Sequence, residues 1–212
     1  FFFKQKTAYE IVDCDWSSDV CSSDLYNDLK GLTEAARAAP GQFNSGLVQG
    51  ITEFTFWGYE HAEKLKITQV PYRDINVAPT DLGEGRIQIV MSSFAIVQPQ
   101  WQAGRIKIIA VNNKTRAPIA PEIPTAREAG FASLEVEGLV GLFGLKTMSN
   151  ELKEKIAADF KAAAADGSIG ERLKSTGQVI NVGGPKEFAD AIEEQRANVE
   201  KTVKAIDFKP KQ

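Results

Sequence analysis

Residues 70–125 constrain what this chain can fold into more than any other stretch. They run from Val70-Pro71-Tyr72 through Asp81-Leu82, Gly85, Pro99 and Ala103-Gly104-Arg105 to Arg116 and Pro124-Thr125. An apolar, β-leaning run over 65–70 stops at Pro71, and 76–82 reads as a short helix. Ile87, Ile89 and Met91 alternate over 86–91, the pattern of a strand, with Ser92-Ser93 at its carboxyl end. A short helix over 94–103 ends at Gly104. Residues 106–111 are almost continuously apolar, as in a strand covered on both faces. Strands and helices alternating in this way predict an α/β sheet with mainly parallel strands.

The flanking segments extend the pattern. Leu29, Leu32 and Ala36 share a helical face over 29–39, which Pro40-Gly41 closes. Residues 42–44 read as a short strand, and 45–50 lead into a long helix over 51–66. Ile51, Phe54, Gly58, Ala62 and Leu65 lie along one side of that helix. After a proline-marked loop over 112–124, Thr125 is placed to cap a short helix at 126–129. Residues 134–145 read as an extended strand. From there the chain turns mostly helical, with helices over 151–165, 169–175 and 185–206, a strand at 178–182, and Pro185 in a first helical turn. That shift predicts a boundary near Leu145.

Residues 1–25 break the pattern. They carry Cys14 and Cys21, the chain's two cysteines, and a marked acidic excess. No periodicity extends beyond a few residues, and the apolar core of a signal peptide is missing. The string KQKTAYEIVDCDWSSDVCSSDL closely resembles translated sequencing-adapter DNA. The segment is therefore expected to stand outside the fold, with the native N-terminus upstream. A Cys14–Cys21 disulfide loop or half of a metal site are the competing readings. Two cysteines seven positions apart with no neighbouring histidine do not make a zinc pattern.

The whole chain has 212 residues, a charged fraction of 25% and a net charge of −3, so nothing in it calls for a nucleic-acid partner. No apolar run approaches the roughly 18–20 residues needed to span a bilayer, so no membrane insertion is expected.

In open α/β sheets ligands bind outside the carboxyl ends of strands, against helix N-termini. Two places qualify. One is the stretch from Asn44 to Thr52, where Ser45, Gln49 and Thr52 offer polar side chains and Gly46 and Gly50 leave backbone open to a ligand. The other is Ser92-Ser93, where a strand feeds a helix. The candidate ligand-binding residues are Asn44, Ser45, Gly46, Gln49, Gly50, Thr52, Ser92 and Ser93; plain helix capping is the alternative for each serine and threonine. Catalytic signals are poor. His61 is the single histidine and falls within a helix, and the sequence has no Gly-x-Ser-x-Gly elbow, no phosphate-binding loop and no metal-ligand spacing. No catalytic residue, metal or cofactor is expected. Phe54, Phe56, Trp57 and Tyr59 read as packing residues.

Taken together and in order, Val70-Pro71-Tyr72, Asp81-Leu82, Gly85, Pro99, Ala103-Gly104-Arg105, Arg116, Pro121-x-x-Pro124-Thr125-x-x-Glu128-Ala129-Gly130 and Gly184-Pro185-x-Glu187-Phe188 resemble the Bug family, the extracytoplasmic substrate-binding receptors of tripartite tricarboxylate transporters. The resemblance implies a Venus-flytrap (type II periplasmic-binding-protein) α/β architecture. Residues 26–145 would be nearly all of the second lobe and 146–212 the C-terminal part of the first, whose N-terminal part would lie upstream with an export signal. It also implies a small organic carboxylate ligand, a membrane permease as partner and a periplasmic location. The ligand-facing family run Ser-x-Gly-x-Gly, followed by a histidine, reads Ser45, Leu47, Gln49 and Glu53 here, and a common tryptophan is Leu139. The sensing domain of a cytoplasmic transcription regulator can share the architecture and is the alternative. With half a lobe upstream, Leu152, Ile156, Phe160, Phe188, Ile192 and Val199 are expected to be uncovered.

Overall fold

The computed structural model describes residues 8–11, 13–15, 18–22, 26–174 and 179–208. In chain order these form β1 (Ala8–Ile11), β2 (Asp13–Asp15), β3 (Ser18–Ser22), α1 (Leu29–Ala38), β4 (Asn44–Leu47), α2 (Ile51–Glu63) and β5 (Thr68–Pro71). There follow α3 (Ala78–Gly83), β6 (Ile89–Ser93), α4 (Phe94–Gln102), β7 (Lys107–Val111), β8 (Gly141–Phe143), α5 (Asn150–Ala164), α6 (Gly167–Lys174), β9 (Val179–Asn181) and α7 (Pro185–Ala205).

A five-stranded sheet in the order β5-β4-β6-β3-β7 carries the architecture. β4 runs parallel to β5 and β6, while β3 lies antiparallel between β6 and β7. Side chains alternate across the sheet. Ile89 and Met91 join Leu29, Leu32, Phe56 and Tyr59 in one core beneath α1 and α2. Val90 joins Leu82, Phe94, Val97 and Val111 in a second core beneath α3 and α4. Both layers match the predicted parallel α/β pattern.

The strand Ser18–Ser22 falls inside the segment whose sequence lacks strand periodicity. Its neighbours explain this. β6 and β7 both present backbone donors and acceptors toward the space between them, and every residue type except proline can answer with its own N–H and C=O. Asp19 therefore stands opposite Ser92 on one side and Val111 on the other. β1 and β2 pair with β8 and β9 in two small antiparallel ladders. The side chains of Cys14 and Cys21 lie outside the described ones, as do Ser175 and Gly177 of the predicted 169–175 helix and its stop.

Three other expectations are corrected. The 126–129 segment is a turn, closed as a capping box: Thr125 Oγ1 accepts from the Glu128 N–H at 3.0 Å, and Glu128 Oε2 accepts from the Thr125 N–H at 2.8 Å. Of the predicted 134–145 strand only Gly141–Phe143 joins a ladder, because the Leu134 carbonyl is taken by an asparagine side chain and the Asn112 carbonyl by the Val136 N–H. Phe188 is buried rather than uncovered, its ring 5.7 Å from that of Phe143. Leu152 does stand exposed, at 44%.

Several of the residues that carry the family resemblance, Tyr72, Asp81, Arg116, Pro121, Thr125 and Glu128, enter two hydrogen-bonded knots. In the first, Tyr72 Oη donates to Asp81 at 2.6 Å and Arg86 donates to the other oxygen of the same carboxylate at 2.5 Å. In the second, Arg116 donates to Glu128 at 2.8 Å and to the Pro121 carbonyl at 2.9 Å, while Thr125 and Glu128 box each other. The second knot folds the loop back on β7, where Val111 and Ala126 exchange backbone bonds with Pro124 and Val111 respectively.

Two phenols, buried Tyr59 and half-buried Tyr72, supply a pH prediction. Thr33 Oγ1 donates to the Leu29 carbonyl, so the 2.7 Å contact with Tyr59 is made by the tyrosine proton. Burial pushes the Tyr59 phenol up to about 12; burial followed by the bond to Asp81 does the same to Tyr72. Both folded values lie above the unfolded value of about 10. The stability gained by holding these protons is whole below pH 10 and is lost as pH rises toward 12. Tyr59 and Tyr72 should therefore ionise late in an absorbance titration, with unfolding in step. Replacing Tyr59 with phenylalanine should flatten the alkaline limb.

Candidate functional site

The parallel strands β4 and β6 end at the same edge of the sheet. Their register is fixed by Ser45 opposite Ile89 and Gly46 opposite Val90. β4 then feeds α2 through Val48-Gln49-Gly50, and β6 feeds α4 directly from Ser93, its N-cap. β7 runs parallel to β6 on the far side of β3, so Asn112 and Asn113 follow its carboxyl end at this edge too.

The predicted residues distribute unevenly about this edge. Gln49 and Gly50 are exposed on the connection. Gly50 has φ = +142°, a conformation in which a side chain is strained, and open space lies where its Cβ would be. Ser92 is 4% exposed and Ser93 half-buried, and neither hydroxyl has a hydrogen-bond partner. Ser45 is wholly buried inside β4, also with an unpartnered hydroxyl. The sequence pattern places the end of this strand at 44, but the ladder continues through Leu47, so Ser45 and Gly46 belong to it rather than to the turn. Gly46 answers to packing: a Cβ there would stand 2.9 Å from Ile87 Cδ1 and 3.0 Å from Tyr72 Cε2. Asn44 sits at the opposite, amino end of β4, where its N–H donates to Gln88 at 2.9 Å. Thr52 turns its hydroxyl back to the Val48 carbonyl at 3.5 Å.

Electrostatically the edge is poor in cations. Glu53, in the first turn of α2, has its carboxyl raised by burial, with the Gly50 N–H pulling the other way. Lys114, the nearest base along the chain after β7, is paired with Glu137 at 3.0 Å. An anion at this edge meets backbone N–H groups and hydroxyls, not guanidinium.

Sequence reasoning missed Asn112 and Asn113. Both are buried, at 0% and 2% exposure, and the Oδ1 of each is unpartnered. The signal was available, since two polar residues directly follow an apolar strand, the same cue that singled out Ser92-Ser93. His61 is exposed near the end of α2, beside an open groove of about 710 Å³ lined by Pro40, Trp57, Lys64, Ile67 and Ile206, at the far end of α2 from this edge. Among the described residues no cluster of His, Cys, Asp and Glu side chains could hold a metal, and no helix is long and apolar enough to cross a membrane.

Residues 18–208 match the sequence model of the tripartite tricarboxylate transporter family receptor. The chain belongs to this family. A curated relative in the receptor family's range is a UPF0065 protein from a Pseudomonas species, 28% identical over 182 residues, which cover 84% of this chain and 54% of the relative. The chain spans about half the length of the curated relatives it matches. Among solved structures, a Rhodopseudomonas palustris protein with adipate superposes with a TM-score of 0.87 at 20% identity, over all of this chain and 72% of that one. The protein MatC from the same organism, with bound malate, gives 0.79 at 19% identity, over 92% and 69%. At these identities the likeness shows the fold, and it is the periplasmic-binding-protein fold expected from the sequence.

Proposed function

We propose that this chain is the ligand-holding part of an extracytoplasmic receptor that binds a small organic carboxylate reversibly and passes it to the permease of a tripartite tricarboxylate transporter. In this reading residues 26–145 are the second lobe and 146–212 belong to the first, and the protein works in the periplasm. The family match across residues 18–208 carries the reading. The ligands of two proteins of the same fold, adipate and malate, support a dicarboxylate of modest size. The polar edge formed by Gln49, Gly50, Ser92 and Ser93, with the Ser45 hydroxyl behind it, is the wall this lobe offers. The mechanism is a population shift: a ligand touching both lobes stabilises the closed arrangement, with no bond made or broken.

Thermal unfolding in the presence of adipate, malate and related acids tests the assignment. A ligand at roughly a hundred times its Kd adds about 2.7 kcal/mol, a rise of roughly 5–10 °C for a chain of this size. At least one acid should produce a saturable rise. The rise should be weak in this chain, which carries only part of the first lobe, and full in the receptor with both lobes complete; a flat response of the two-lobed receptor across the panel contradicts the assignment.

A further inference from the structure

The five buried polar atoms without partners among the described side chains are Ser45 Oγ, Ser92 Oγ, Ser93 Oγ, Asn112 Oδ1 and Asn113 Oδ1. All five belong to β4 or to the carboxyl ends of β6 and β7. Leaving such groups unpaired in a protein interior is costly, and native structures rarely tolerate several in one place.

Their chemistry is asymmetric. A serine hydroxyl can donate or accept. Asn112 has no such choice. Its Nδ2 donates to the Leu134 carbonyl at 2.6 Å and faces Met91 Sδ at 3.7 Å. Since a carbonyl only accepts, the amide cannot be turned round, and the atom left over is the acceptor Oδ1. Asn112 is held by the Leu134 carbonyl and by the Val136 N–H on its own carbonyl, and the second knot closes the loop that follows. Glu53, at the start of α2, adds a further acceptor to the same edge. Asn112 thus presents a fixed acceptor, with the unpartnered Asn113 Oδ1 on the neighbouring residue.

We infer that Asn112 and Asn113 select, through their free Oδ1 atoms, a ligand carrying a neutral hydrogen-bond donor, a hydroxyl or a carboxamide, in addition to its carboxylate. This rests on the receptor reading above and narrows its substrate class from organic acids in general to hydroxy- or amido-acids. An unsubstituted diacid, ionised at neutral pH, has no proton to give and leaves both oxygens unpaired. A donor-bearing acid of equal length satisfies at least one. The penalty for an unpaired buried acceptor corresponds to roughly a tenfold or greater difference in affinity.

The test is calorimetric titration of the receptor with both lobes complete, using three four-carbon acids of matched length: succinate, malate and succinamate. Malate or succinamate should bind roughly tenfold or more tightly than succinate. The informative variant is Asn113→Leu, which removes one free acceptor without touching the Leu134 bond that anchors Asn112. It should shrink the preference to about threefold or less, while Asn113→Asp, which keeps an acceptor, preserves it. Succinate binding as tightly as the other two overturns the inference and leaves the receptor reading standing; the amide oxygens would then hold only water. A preference undiminished in Asn113→Leu overturns it as well. If none of these acids nor any other small carboxylate binds, the receptor reading fails and the inference fails with it.

Discussion

Replacing Gly46 with alanine should cost about 1–3 kcal/mol, and replacing it with valine more, because the space beside this residue is already filled. The new Cβ would stand 2.9 Å from Ile87 Cδ1 and 3.0 Å from the Tyr72 ring. Ile87 is 2% exposed and belongs to the core beneath α3 and α4. Tyr72 is tethered through its hydroxyl to Asp81, itself held by Arg86. Neither neighbour retreats without loosening something else. The effect would be read as a fall in the urea midpoint at unchanged slope. Ile87→Val should return part of the loss in the double variant, since residues in contact couple by roughly 0.5 kcal/mol or more. Strict additivity would show that the ring of Tyr72, not Ile87, sets the limit. A loss below about 0.5 kcal/mol would mean that both side chains step aside freely.

The second large effect is expected at Phe94. This residue opens α4, is 1% exposed, and packs edge-on against Trp101 at 5.6 Å between ring centres. It also follows Ser93, whose side chain does not cap the helix. The start of α4 is therefore held by the burial of Phe94 rather than by a cap. Truncation to alanine should cost about 3–5 kcal/mol, the range for emptying a buried aromatic site. Against a total stability on the order of 5–15 kcal/mol, that leaves a chain near its unfolding threshold. Ligand binding should weaken along with stability, because Ser92 and Ser93 are positioned by the same anchor. Phe94→Leu, which keeps most of the volume, should recover much of both. If alanine at 94 leaves the melting temperature within a degree or two, α4 is held by something other than this contact.

What the sequence made legible follows from which physical signal each element emits. α1 buries one face, and the spacing of Leu29 with Leu32 announces that at once; α2 buries Phe56 and Tyr59 rather than the side marked by Ile51, Phe54 and Ala62, because α1 and Phe131 pack against the aromatic side. β7 is covered on both sides, and an unbroken apolar run is its natural mark. β4 was mostly hidden. Ser45-Gly46 carries the chemistry of a turn, but it lies in the middle of a ladder because Tyr72 and Ile87 leave no room for a Cβ, a tertiary reason that no local window contains. β3 was hidden for a different reason. Its pairing with β6 and β7 is made by backbone groups, which carry no sequence signature. The turn at 126–129 has a genuine capping box, but the chain bends back to Val111 before a helix can grow. At the candidate site, Ser92-Ser93 and the connection at Gln49-Gly50 could be reached by asking where parallel strands end. Asn112 and Asn113 answer to the same question, but the prolines that follow give their stretch the pattern of a loop. That Asn44 and Thr52 are engaged elsewhere, with Gln88 and Val48, is settled only by geometry.

The central claim is that a small organic acid binds at the carboxyl edge of the five-stranded sheet. The most direct measurement is amide chemical-shift mapping of the isotope-labelled receptor, with both lobes complete, during titration with malate and with adipate. The account predicts saturable shifts concentrated at residues 47–53, 92–94 and 112–113, with the far end of α2 around His61 and the groove beside it unmoved. Shifts centred on that groove, near Trp57, Lys64 and Ile206, or no saturable shifts at either place, would contradict it.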